Sequence, residues 1–252
     1  MGRALLAFAA LGLVAVGCGS SASSATTTAT TVGATASTTT VPVWPTTASA
    51  PRYPGTQCKT VAVFGDSVAG QWAARLKATL ATSGRCATVL DYGQPGSTAD
   101  DWQHILPDLL AKDRTVDVWI GHLTGNDEFV PPRPVMGDPA WWTANTSAML
   151  TMTRDVRAAG RPLYWVLPGP TRALCRPPSS FYPAALQQAF AHWQAATLPN
   201  TIDLRTPFGG DAFVVRFRFS NGRTAVVRSA LDCTHYTPLG VDLGDGIIAA
   251  RI

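Results

Sequence analysis

Charge is sparse in this chain. Only 14% of the 252 residues are charged, and 20 Lys/Arg against 16 Asp/Glu leave a formal net charge of +4. No run of Lys or Arg interrupts that even spread, which excludes the basic footprint of a nucleic-acid-binding domain. The apolar stretch Ala4 to Val16 is too short to span a bilayer. No cluster of His, Cys, Asp and Glu has metal-ligand spacing, so no metal or other cofactor is expected. Gly65 to Gly70 lacks the lysine of a phosphate loop. No internal repeat is present, which excludes a solenoid.

What is present starts with an export signal. Arg3 precedes the apolar stretch, which ends in Ala15-Val16-Gly17-Cys18. Small residues before a cysteine resemble a bacterial lipobox, so residues 1–18 read as a lipoprotein-type signal and Cys18 as the lipidation site. Residues 19–55 are almost entirely Ser, Thr, Ala and Gly, ending in a Pro-containing stretch. That composition cannot offset chain entropy by apolar burial, and it reads as a disordered tether. As a flexible coil it would span roughly 30–35 Å. The chain is thus expected to be exported and held at the outer face of the cell membrane by a lipid anchor, or otherwise secreted.

Five cysteines are an odd number. Lipidation of Cys18 leaves Cys58, Cys86, Cys175 and Cys233, which an oxidising compartment would pair. Cys58 and Cys86 each precede a predicted strand, so neighbouring strands could bring them together; Cys175 and Cys233 would then join two loops. Four cysteines allow three pairings, and spacing alone does not choose.

Residues 56–252 form one expected domain. Thr60–Phe64 is a short apolar run ending in Gly65, the pattern of a buried strand. Helical spacing from Ser67 to about Ala81 places Trp72, Leu76 and Leu80 on one face. A strand at Ala87–Leu90 follows, then a helix opening at Ser97 and a strand at Val116–Ile120. A helix through Met149, Met152 and Val156 leads to a strand at Leu163–Leu167. A helix from Ala184 to Ala195 and a strand at Ile202–Leu204 continue the alternation. This order predicts an α/β fold with a parallel sheet covered by helices on both faces. Phe213–Arg228 departs from it: Asn221-Gly222 between alternating segments predicts a β-hairpin with a two-residue turn. That register puts Val215, Phe217 and Phe219 on a face with Thr224 and Val226, and Arg216, Arg218 and Arg223 on the other. Such a hairpin is either a soluble edge or a basic flap for an anionic substrate.

Open parallel sheets bind ligands beyond the carboxyl ends of their strands. Gly65-Asp66-Ser67 follows the first strand, Gly93-Gln94-Pro95-Gly96 the second, and Thr124-Gly125-Asn126-Asp127 the third. Asp232-Cys233-Thr234-His235 lies near the C-terminus. Acyl transfer needs a hydroxyl beside a base, and donors for the oxyanion that develops. Ser67 at a strand-to-helix turn suits the nucleophile and His235 the general base. Asp232 can orient the imidazole. The N–H groups of Ser67 and Gly96 and the Asn126 amide can form an oxyanion hole. Of the other histidines, His104 and His192 fall in predicted helices as surface or packing residues, and His122, in the loop before Asn126, is a candidate to line the site.

The four blocks in this order resemble the SGNH (GDSL-type) hydrolase family, with Ser67, Gly96, Asn126 and His235 matching its four named residues and Asp232 its triad acid. The first block reads Gly-Asp-Ser-Val, and Thr124 stands where the family has Gly two residues before the Asn. The resemblance covers residues about 58–252. It implies a three-layer α/β/α flavodoxin-like fold, the hairpin being an addition, and ester hydrolysis or acyl transfer without metal. The expected activity is hydrolysis of short acyl, above all O-acetyl, esters on envelope carbohydrate or lipid. An O-acyltransferase would use the same triad, and a non-catalytic envelope-binding module would need only the scaffold. A long-chain lipase would need an apolar channel, to which Trp141-Trp142 and Phe181-Tyr182 could contribute. A monomer is expected, with a membrane contact through the anchor and no nucleic-acid partner.

Overall fold

Val61–Phe64 are four apolar residues in succession, which suits a strand only if both its faces are covered. In a computed structural model of the chain they lie in β1 (Lys59–Gly65), and all four are buried. The structure describes residues 58–123, 126, 138–167, 169, 184–210, 214–219, 221–229 and 234–252. β2 (Ala87–Gly93), β3 (Val118–His122), β4 (Leu163–Leu167) and β5 (Thr201–Asp203) join β1 in a parallel sheet of order β2-β1-β3-β4-β5. That is the flavodoxin-like order.

Alternation along the strands builds two cores. Val61, Val63, Val118 and Ile120 point to one face and meet Trp72, Leu76 and Leu80 of α1 (Ser67–Thr82) and Val241 and Ile248 of α5 (Pro238–Ala249). Ala62, Phe64, Trp119 and Trp165 point to the other and meet Trp102 and Leu106 of α2 (Ala99–Lys112) and Met149, Met152 and Val156 of α3 (Pro139–Ala158). Phe190 of α4 (Ala184–Thr197) closes that second layer. The fold is therefore a three-layer α/β/α sandwich, as expected. Trp141 and Trp142 pack around Phe190, and Trp142 also meets Trp193, so this pair fills the layer between α3 and α4. Phe181 and Tyr182 lie outside the described residues.

Three elements differ from their sequence expectation. The second helix begins at Ala99, because Thr98 and Asp101 form a reciprocal capping box. The third strand runs two residues further than its apolar run, pairing His122 with Gly65. His122 is therefore a strand residue and fully buried, and does not lie in the loop before Asn126. The hairpin, β6 (Arg216–Arg218) with β7 (Thr224–Val226), pairs Phe217 with Ala225 and Arg218 with Thr224. Its loop is one residue longer than the Asn-Gly turn expected: Phe219 N–H donates to Arg223 O (2.8 Å), Gly222 N–H to Phe219 O (2.9 Å), and Gly222 adopts φ +80°. A left-handed glycine closing a three-residue loop is the next commonest hairpin geometry. The one-residue shift exchanges the faces of β7. Ala225 turns inward beside Phe217, and Thr224 and Val226 turn outward beside Arg216 and Arg218.

A disulfide joins Cys58 to Cys86, just before β1 and β2, at the edge of the sheet away from the strands' carboxyl ends. Cys18, Cys175 and Cys233 lie outside the described residues.

Candidate active site

The turn after β1 is shaped by Gly65. Its φ is +136°, and a Cβ there would run into the carbonyl of His122 on the neighbouring strand, so only glycine fits. Asp66 follows, fully buried, as the N-cap of α1. Its carboxylate accepts from the N–H groups of Val68 (2.8 Å) and Ala69 (3.4 Å), while its own N–H donates to His122 O (3.2 Å). The N–H groups of a first helical turn have no intrahelical acceptor. Asp66 occupies two of them, and that of Ser67, the first residue of α1, is left as a donor at the positive end of the helix.

The second block is hooked onto the first. Gln94 N–H donates to Gly65 O (2.8 Å), as does the Ser97 hydroxyl (3.1 Å), which in turn accepts from Trp102 Nε1 (2.8 Å). Between them Gly96 adopts φ +81° and is exposed, with open space where a side chain would be. Asn126 joins the third block to the second by donating its side-chain amide to Ser97 O (3.1 Å). The loops after β1, β2 and β3 thus converge at one edge of the sheet, as the block order predicts.

His235 reaches the same point from the far end of the chain. Its Nε2 lies 2.8 Å from Ser67 Oγ, across a separation of 168 residues. Two arrangements hold it there. Ser229 N–H donates to His235 O (2.8 Å), Arg228 bridges Tyr236, and Thr237 N–H donates to Val227 O (3.0 Å), so the histidine segment pairs antiparallel with the continuation of β7. On the other side, Gln71 donates Nε2–H to Tyr236 O (3.0 Å) and accepts Tyr236 N–H at Oε1 (3.1 Å). Gln71 is four residues after Ser67, on the same face of α1.

Arg228 is buried beneath this segment. It donates to the carbonyls of Thr234 and Gly169 and to the Tyr236 hydroxyl (2.7 Å), and its guanidinium lies 3.8 Å from the Tyr236 ring centroid. Burial pushes the Tyr236 phenol up, with the Arg228 charge opposing. His122 sits below the nucleophile turn with Nδ1 3.6 Å from Asp66 Oδ1, beyond hydrogen-bond length. Its interior position removes it from the lining of the site.

Of the residues read from sequence, the structure brings Ser67 and His235 into contact and ties Asn126 to the residue after Gly96. Asp232 lies outside the described residues. Gln71 and Arg228 were not anticipated. Gln71 was accessible through its i+4 spacing from Ser67, whereas nothing in the sequence marks Arg228 as interior. A hydroxyl beside an imidazole, at a helix N-terminus and next to further donors, is equipped for nucleophilic attack on a carbonyl and for holding the resulting oxyanion.

Solved structures share this architecture. The lipase/acylhydrolase from Enterococcus faecalis superposes with a TM-score of 0.53 at 18% identity, over 76% of this chain and 93% of that one. The acetyl xylan esterase AlAXEase gives 0.51 at 16%, over 77% of this chain and 100% of that one. An acetyl xylan esterase from Geobacillus stearothermophilus gives 0.53 at 12%, over 77% and 92%. At these identities the likeness establishes the fold. Among curated proteins, none matches the chain significantly. Residues 60–248 match a family described as protein of unknown function (DUF459), and the chain, an SGNH-fold protein, belongs to that family.

Proposed function

We propose that the chain is a serine esterase acting on short acyl, above all O-acetyl, esters of cell-envelope carbohydrate or lipid. The observation that carries this is the 2.8 Å approach of His235 Nε2 to Ser67 Oγ. Ser67 Oγ attacks the ester carbonyl while its proton passes to His235 Nε2. The oxyanion is met by the N–H groups of Ser67 and Gly96 and by the Asn126 amide. The tetrahedral intermediate expels the alcohol, which takes the proton from His235, and an acyl-Ser67 remains. Water, deprotonated by His235, then attacks the acyl carbon, releases the acid and restores Ser67. Asp232, three residues before His235, is the proposed acid that fixes the imidazole tautomer.

The acetyl xylan esterases among the structural neighbours support a short acyl group on a carbohydrate. The proposed envelope location, with Cys18 lipidated and residues 19–55 as tether, supports the same substrate class. An acyltransferase would replace water by a sugar hydroxyl in the second step and needs no other residue. Acetylated product appearing on an added glycan acceptor would distinguish it.

The test is turnover of p-nitrophenyl acetate by the chain and by Ser67→Ala and His235→Ala. Both variants are expected to lose on the order of 10⁴-fold or more in kcat. An inert parent whose Ser67 is not labelled by a fluorophosphonate would overturn the reading in favour of a non-catalytic binding module.

A further inference from the structure

Among the described elements the hairpin is the one the sandwich does not need, and its charge is one-sided. Residues 212–231 contain four arginines, Arg216, Arg218, Arg223 and Arg228, and no Asp or Glu. Arg228 is buried under the histidine segment, but Arg216, Arg218 and Arg223 are exposed. The observed register sets Arg216 and Arg218 side by side on the outer face with Thr224 and Val226. Phe217 turns the opposite way, against Phe208 and Phe219, and Phe217 and Phe219 are both half-buried. Among the described residues none of the three exposed arginines is in a salt bridge.

The hairpin is also wired to the catalytic edge. β7 continues through Val227 to Ser229, and there it pairs with residues 235–237. The three strands β6, β7 and the His235 segment therefore lie edge to edge. Backbone hydrogen bonds thus connect the hairpin directly to the segment that carries His235, which meets Ser67.

We propose that the outer face of the β6–β7 hairpin is a docking surface for an anionic glycan polymer, aligned by Arg216 and Arg218 so that its acyl groups reach Ser67. The placement of the acyl groups rests on the esterase reading, whereas the docking does not. Charge complementarity selects a polyanion: the guanidinium groups of Arg216 and Arg218, in a stretch that holds no carboxylate, form a positive patch that a carboxylate- or phosphate-bearing chain can follow. The inward phenylalanines select a polymer over a lipid surface. Interfacial binding puts large apolar rings into the bilayer, and here the outer face offers only Val226 as an exposed large apolar residue. Spacing along an extended strand, at about 3.3 Å per residue, puts Arg216 and Arg218 within reach of neighbouring charges on one chain.

The test uses the full chain carrying Ser67→Ala, so that binding is measured without turnover. Polygalacturonate is the anionic probe, unsubstituted xylan the neutral one, and phosphatidylglycerol vesicles the lipid one. Replacing Arg216 and Arg218 together by Ser is expected to weaken polygalacturonate binding at least about fivefold at low salt, with 0.5 M salt erasing the difference. The double Lys variant should retain binding, since it keeps the charge. In the catalytically intact chain the Ser variant should lower kcat/KM for O-acetylated polygalacturonate and leave p-nitrophenyl acetate and acetylated xylan unchanged. Polymer binding insensitive to both arginines overturns the proposal. So does a Ser variant that loses only vesicle binding, which would assign the face to a membrane. A chain that binds polygalacturonate through these arginines yet hydrolyses no ester would instead overturn the esterase reading alone.

Discussion

Gln71 and Tyr236 are 165 residues apart, and the side-chain amide of one pairs with both backbone polar groups of the other, at 3.0 and 3.1 Å. The pair matters because Tyr236 adjoins His235 and Gln71 sits one helical turn beyond Ser67. A single rigid helix therefore carries the hydroxyl and also fixes the backbone that carries the imidazole.

Gln71→Ala should consequently lower kcat on p-nitrophenyl acetate about 10- to 100-fold with KM little changed, because small misplacement of a reacting group costs on that scale. Gln71→Glu keeps an acceptor for Tyr236 N–H but sets a carboxylate against Tyr236 O, and should be at least as damaging. A drop in melting temperature with kcat intact would show that the pair holds the fold together without aiming the histidine.

The Asn126 amide donates to Ser97 O. In the proposed reaction its Nδ2–H donates to the oxyanion, so Asn126→Ala should cost about 10²–10³ in kcat with KM nearly constant. Asn126→Asp should cost more, since it presents negative charge to negative charge. Equal kcat in wild type and both variants would remove Asn126 from the oxyanion hole.

The sheet was legible because Val61–Phe64, Val118–Ile120 and Leu163–Leu167 are apolar runs of strand length between helical periods. The approach of His235 to Ser67 was legible because the blocks around Ser67, Gly96, Asn126 and His235 each follow a strand or close the chain in one consistent order. Other features hid for identifiable reasons. α5 contains Gly240, Gly244 and Gly246 in 12 residues, against ordinary helix propensity. Two of those glycines are there for close approach: a Cβ on Gly244 would overlap the Trp72 indole, and one on Gly240 the carbonyl of Val227. The hairpin register turned on one residue, because Asn-Gly fits both a two-residue turn and the last two positions of a three-residue loop. Arg228 is spaced like a surface residue of the hairpin, and only the fold shows that carbonyls of distant segments surround it.

Cys58 and Cys86 close a loop of 28 residues' separation at the edge of the sheet opposite Ser67. Loop-closure entropy puts the bond's contribution at about 3–4 kcal/mol. The double substitution Cys58→Ser/Cys86→Ser should lower the denaturant midpoint accordingly while kcat on p-nitrophenyl acetate stays within about twofold. Loss of activity in a double variant that remains folded would show that the bond reaches the site through β1.

Asp245 lies on the buried face of α5 with neither carboxyl oxygen hydrogen-bonded among the described residues. Burial, reinforced by Asp242 and opposed by Arg75, pushes its pKa up to about 8. An unfolded chain holds the same group near 3.9. Between those values the folded state binds the proton that the unfolded state has released, so each unit rise in pH favours unfolding. The stabilisation is complete below about pH 4, declines through neutrality and is exhausted above about pH 8. Asp245→Asn removes a charge that the interior must otherwise accept. It should flatten this part of the stability–pH curve and raise stability at pH 8, by no more than about 5 kcal/mol. Denaturant unfolding of both proteins from pH 5 to pH 8.5 measures the two slopes. Parallel curves would mean that Asp245 ionises as readily inside the fold as outside it, and that a polar partner reaches its carboxylate in solution.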